Sequence, residues 1–107
     1  MALEKITLGT LTADGSGAWV KVTSAMHNHA GAIHIRATGT LGGGSLKIEG
    51  SQDQTNAYST GAGGLLYEAG SAEVRLLAGE YVRVTVSGAT SPNVEAFVLI
   101  PNSAEGL

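Results

Sequence analysis

The residues best suited to chemistry in this chain are its three histidines. His27-Asn28-His29 sets two imidazoles two residues apart, and His34 follows five residues later. On a strand, positions i and i+2 point to the same face, and imidazole nitrogen suits zinc, nickel or copper. Against a metal, no Asp or Glu lies near them in sequence, the chain has no cysteine, and the pair sits beside Gly31 in a polar stretch. The expectation is solvent-exposed loop histidines with no metal and no cofactor. The alternative is a ring of subunits that gathers copies of His27 or His29 on its axis as an ion site or a pH-sensitive contact.

A hydrolytic triad would draw on one of the serines, one of the histidines, and Asp14 or Asp53. No Gly-x-Ser-x-Gly elbow is present to present such a serine. Both aspartates stand in turn contexts, where a short carboxylate ordinarily accepts hydrogen bonds from nearby backbone N–H groups. The run Gly42-Gly43-Gly44 lacks the lysine and the strand-to-helix context of a phosphate loop and reads as a hairpin connection. No catalytic residues are assigned, and the chain is expected not to be an enzyme.

The elements that would position any site are strands. Residues 74–87, Val-Arg-Leu-Leu-Ala-Gly-Glu-Tyr-Val-Arg-Val-Thr-Val-Ser, read as two alternating runs joined at Ala78-Gly79-Glu80, hence a β-hairpin. Val82, Val84 and Val86 are expected inward, with Tyr81, Arg83 and Thr85 outward. Further strands are expected over residues 4–12, 18–23, 32–38, 45–51 and 94–100, with a brief one at 65–67. Asp14-Gly15 is a hairpin signal between the first two. Residues 52–64 run polar and glycine-rich, the length of a loop that is functional or ordered by a neighbour. Seven to eight short strands without helical periodicity predict an all-β protein, an antiparallel β-sandwich or a small jelly-roll-like barrel.

Composition narrows the class of partner. The 107 residues are room for one domain, 1–107, and the net charge is −3. The six basic residues are scattered, so nucleic acid, which requires concentrated positive charge, is disfavoured. The longest apolar run, residues 96–100, is far below the ~20 residues of a membrane-spanning helix. The N-terminus has no basic segment followed by an apolar core, so no secretory signal is expected. A soluble protein with no membrane partner and no small-molecule substrate is the expectation.

Several apolar side chains have no obvious place in a small core. Trp19 falls on the face of its strand opposite Val20 and Val22, so either a loop covers it or a partner does. The last strand is apolar on both faces, with Ala96, Val98 and Ile100 on one side and Phe97 and Leu99 on the other. Subunit contacts are therefore expected at Trp19, Phe97 and Leu99 or in the loop 52–64, which contains Tyr58, and Tyr67 lies close by. A carbohydrate-binding module is a competing reading, in which Trp19, Tyr58 and Tyr67 would form the aromatic platform.

Three segments carry a family likeness: residues 43–53 (Gly-Gly-Ser-Leu-Lys-Ile-Glu-Gly-Ser-Gln-Asp), residues 73–90, which contain Leu-Ala-Gly-Glu-Tyr, and residues 94–101 (Val-Glu-Ala-Phe-Val-Leu-Ile-Pro). Together they span roughly the last two-thirds of the chain. The chain resembles the small β-sandwich virion proteins of tailed bacteriophages, including capsid decoration (cement) and head-fibre-like subunits. The resemblance implies a structural role without catalysis. Such a subunit, commonly a homotrimer, would sit on the capsid surface of the virion, made in the host cytoplasm and bound to the major capsid protein and to copies of itself. A tail, fibre or head-to-tail component of the same class is the alternative that this likeness leaves open.

Overall fold

Alternation of side chains decides which face of each strand turns inward, and the computed structural model, which describes residues 3–27 and 31–101, follows that rule. Its strands are β1 (Leu3–Leu11), β2 (Gly15–Ser16), β3 (Val20–Lys21), β4 (Ile33–Thr40), β5 (Ser45–Ser51), β6 (Ala57–Ser59), β7 (Leu65–Leu66), β8 (Gly70–Val74), β9 (Tyr81–Ser87) and β10 (Asn93–Pro101). Short 3-10 turns occupy Ser24–Met26 and Ala62–Gly64. Val82, Val84 and Val86 of β9, Ile33, Ile35 and Ala37 of β4, Leu46 and Ile48 of β5, and Val94, Ala96 and Val98 of β10 are all buried. Each fully buried valine, leucine or isoleucine contributes about 1.5–3 kcal/mol relative to exposure.

Two antiparallel sheets close over this core. One has the order β1-β10-β4-β8, and the other has the order β2-β9-β5-β6, with β3 also on β9 and β7 also on β5. β2 and β3 lie end to end along β9, and Gly17 N–H donates to the Val84 carbonyl at 2.9 Å in the gap between them. β6 and β7 lie end to end along β5 in the same way, with the Thr60 hydroxyl donating to the Ile48 carbonyl at 2.8 Å. The ten segments therefore form eight rows, and the chain passes from one sheet to the other after β1, β3, β4, β7, β8 and β9. That is the path of a double-sheet jelly roll.

This path corrects several local expectations. Residues 74–87 are not a hairpin: β8 pairs with β4 in one sheet and β9 with β5 in the other, so residues 75–80 are a crossing between sheets. Gly79 does take positive φ there (102°), and its N–H donates to the Val22 carbonyl at 2.9 Å, so the turn is pinned to a different segment. Gly42-Gly43-Gly44 likewise joins β4 to β5 across the two sheets rather than within one. Asp14-Gly15 does not fold β1 back on its successor, because β1 pairs with β10 while β2 pairs with β9. The strand expected over 18–23 is reduced to Val20–Lys21.

The stretch 52–64 is not one loop. Tyr58 faces Gly50 across the β5–β6 hairpin, so the chain itself orders this segment. A register shift between Thr7 and Gly9 explains the imperfect alternation of β1, since Ile6 and Leu8 turn inward before it and Leu11 after it.

Candidate interaction surfaces

Each outer face of the sandwich carries an aromatic ring, a cation and a glutamate in contact. On the β9 face, the Arg83 guanidinium lies over the Trp19 ring, 4.4 Å from its centroid, and Arg83 Nε donates to Glu49 Oε1 at 3.0 Å. The Thr85 hydroxyl donates to the same oxygen at 2.7 Å, and the Ser16 and Thr85 hydroxyls share a hydrogen bond of 2.7 Å. Burial pushes the Glu49 carboxyl up, but the bonds from Thr85 and Arg83 and the charges of Arg83 and Lys47 outweigh it and hold the group below its usual range. Trp19 is thus half-buried beneath its own protein's arginine.

On the β10 face, Lys5 Nζ stands 5.0 Å from the Phe97 ring centroid and donates to Glu95 Oε1 at 3.0 Å. The register places Leu99 opposite Lys5, Phe97 between Thr7 and Arg36, and Leu3 opposite Pro101. Leu3, Leu99 and Phe97 share this outer face, and Leu3 is 60% exposed. Leu3, Leu99 and Phe97 therefore line a stripe along β10 and the start of β1 in which Leu3 is exposed, Leu99 and Phe97 are half-buried and Lys5 lies over Phe97, with Glu95 and Arg36 alongside.

The two ends of the sandwich are built from the crossings. At one end, Tyr58 packs its ring where a Cβ on Gly50 would stand, and its hydroxyl donates to Glu80 Oε2. Glu80 Oε1 accepts from Leu77 N–H at 2.5 Å, and this bond holds the crossing with the Leu77 side chain 74% exposed. The half-buried His27 places Nε2 2.7 Å from the Leu76 carbonyl at the same end. Asp53 Oδ1 accepts from the Ser51 hydroxyl and from Thr55 and Asn56 N–H, while Oδ2 accepts from Asn56 Nδ2. Those bonds, the backbone N–H groups of Asn56 and Thr55 first, hold its carboxyl well below the usual range. At the opposite end, Asp14 accepts from Gly88 N–H at 3.1 Å and Ala89 N–H at 3.0 Å, and Thr90 N–H donates to the Gly42 carbonyl at 3.1 Å.

No family model matches the chain, and neither a curated protein nor a solved structure matches it.

Asp53 serves its own turn, as its sequence context suggests, whereas Asp14 reaches across to the backbone N–H groups of Gly88 and Ala89 in the crossing between β9 and β10. His34 faces outward on β4 opposite Glu73, His27 bridges the neighbouring Ile33 with its ring tied to the Leu76 carbonyl, and His29 lies outside the described residues. Among the described residues, no three of His, Cys, Asp or Glu stand close enough to hold a metal ion. Of the five side chains expected at contacts, Phe97 and Leu99 come together on one face. Trp19 lies on the other face, and Tyr58 and Tyr67 lie apart from them, Tyr67 being 71% exposed. Sequence reasoning missed Leu3 and Leu77. Leu3 falls in phase with Lys5 and Thr7, an outward signal readable in the alternation, whereas Leu77 is exposed in a turn that Glu80, three residues on, fixes by accepting from its N–H.

Proposed function

We propose that this chain is a structural virion protein of a tailed bacteriophage, a capsid decoration protein that performs no catalysis. In this reading it associates with copies of itself as a homotrimer and with the major capsid protein on the outer capsid surface. The observation that carries the reading is the stripe of Leu3, Leu99 and Phe97 on the outer face of the β1-β10-β4-β8 sheet. An antiparallel sheet with one solvated face keeps that face polar, and a contiguous apolar patch rimmed by polar residues marks a protein contact. The rim here, Lys5, Glu95 and Arg36, carries both signs of charge, which suits a protein surface better than a phosphate backbone. Jelly rolls occur in viral capsid and lectin domains, so the architecture accords with the proposal without assigning the role.

Two measurements on the intact protein test it. Sedimentation velocity across a dilution series is expected to give a trimer, and quantitative mass spectrometry of purified particles is expected to give a copy number near that of the shell subunits. A species that stays monomeric at high concentration and is absent from particles would overturn the proposal. Presence at a few copies per particle would replace decoration with a tail or head-to-tail role.

A further inference from the structure

We propose that the open groove at the glycine-rich end of the sandwich is a subsite for a neutral carbohydrate, with Tyr67 as its stacking platform. The groove has a volume of about 330 Å³ and lies between residues 39–43, where β4 ends, and residues 67–69, which cross from β7 to β8. Ligand sites commonly span about 300–1,000 Å³, so the space suits a small ligand or one unit of a longer one. Tyr67 presents a ring that is 71% exposed. The crossing is anchored on both sides, since Leu65 and Leu66 pair with Lys47 and Leu46 of β5 and Gly70 pairs with Ala37 of β4. An aromatic face held in water by such a short, anchored segment is complementary to the apolar C–H face of a pyranose.

The lining decides the class of ligand. Glu68 is the charged side chain in it and no lysine or arginine contributes, so phosphate- or sulfate-bearing ligands meet like charge. Leu41 is buried, which leaves the Tyr67 ring and Ala69 as the apolar surface, too little to anchor an acyl chain or an apolar peptide. What remains is polar: the Glu68 carboxylate, the Gly43 backbone, and the Thr40 hydroxyl, which accepts from Gly42 N–H at 3.2 Å and keeps its own proton to donate. Nothing lies within 4 Å of the position a Cβ on Gly43 would take, so its backbone is open to a close-approaching ligand. Donors and acceptors lining the same groove as an exposed aromatic side chain suit sugar hydroxyls, which both donate and accept. Of the other two aromatic side chains that could have served as a platform, Trp19 lies under Arg83 and Tyr58 is bonded to Glu80. This site is separate from the Leu3-Leu99-Phe97 stripe and does not rest on the virion proposal.

The test is an amide-resolved NMR titration of the full chain with cellohexaose, chitohexaose and mannohexaose in turn. At least one is expected to shift the Gly42, Gly43, Tyr67 and Glu68 amides saturably. Tyr67→Ala is expected to weaken that binding roughly tenfold, about 1.4 kcal/mol, while Tyr67→Phe retains it and both variants melt near the parent temperature. The proposal fails if none of the three oligosaccharides shifts these amides, or if the shifts persist unchanged in Tyr67→Ala. It also fails if tetramethylammonium chloride shifts them where the sugars do not, which would make the groove a cation site.

Discussion

The hydroxyl of Tyr58 donates to the Glu80 carboxylate and so ties the β5–β6 hairpin to the crossing that enters β9. The ring below that hydroxyl occupies the space left by Gly50, where a Cβ would come within 2.6 Å of Tyr58 Cε1 and 2.7 Å of Leu76 Cδ2. Tyr58→Phe is expected to lower the unfolding free energy by about 0.5–1.5 kcal/mol. Gly50→Ala, which overpacks the same spot, is expected to cost about 1–3 kcal/mol. Urea denaturation of both variants against the parent measures the order.

Gly42 and Gly43 both have positive φ, 57° and 82°, but their surroundings differ. A Cβ on Gly42 would stand 2.0 Å from the Thr90 carbonyl oxygen, a backbone atom held in the neighbouring crossing, whereas one on Gly43 would meet open space. Gly43→Ala is therefore expected to cost only the left-handed backbone penalty, about 1–2 kcal/mol. Gly42→Ala should cost clearly more, because the two crossings must move apart. Thermal melts that ranked the two variants equal would show that the contact with Thr90 carries no weight.

The lowered Glu49 carboxyl makes a pH prediction with a definite sign. A group whose folded value lies below its unfolded one stabilises the fold above the unfolded value and loses that contribution as pH falls through the folded one. The stability gap between the parent and Glu49→Gln should thus be full above pH 4.5, the ordinary value for the group, and shrink below it. Asp53→Asn should follow the same course below 3.8. Chemical denaturation at neutral and at strongly acidic pH reads both gaps.

On the outer stripe, Leu99→Lys and Leu3→Lys are expected to break self-association while leaving the monomer folded, because both side chains point away from the core. Removing a leucine that is fully buried in a contact costs about 1.5–3 kcal/mol, which corresponds to roughly a ten- to hundredfold rise in dissociation constant. Sedimentation equilibrium, with circular dichroism as the control for folding, checks this. An unchanged association constant would remove the stripe from the interface.

The faces of the strands were legible in the chain, and their partners were not. Val82, Val84 and Val86 alternate with polar neighbours, and that pattern follows from burial whatever strand lies alongside. The step from β8 to β9 carries the same alternation because Val74 and Leu76 both drop into the core, one in a strand and the other in a crossing, so Ala78-Gly79-Glu80 imitates a hairpin turn. β6 was hidden for the opposite reason, since Ala57, Tyr58 and Ser59 are all exposed and show no period. The surfaces were half legible. Phe97 and Leu99 could be seen to face away from Ala96 and Val98, but the covers over Trp19 and Phe97 come from Arg83 and Lys5, partners that only the sheet order brings near.

The pairing of β1 with β10 means that β1, once synthesised, waits for a strand that follows it only after eight others. β4, too, must hold its place until β8 and β10 arrive on either side of it. Folding of this chain is consequently a late event that closes large loops, and domains dominated by such distant pairings fold in milliseconds to seconds rather than microseconds. During that delay the edge of β1 is unpaired and open to strands of other nascent copies, so yield in an expressing cell should depend on how crowded the growing chains are.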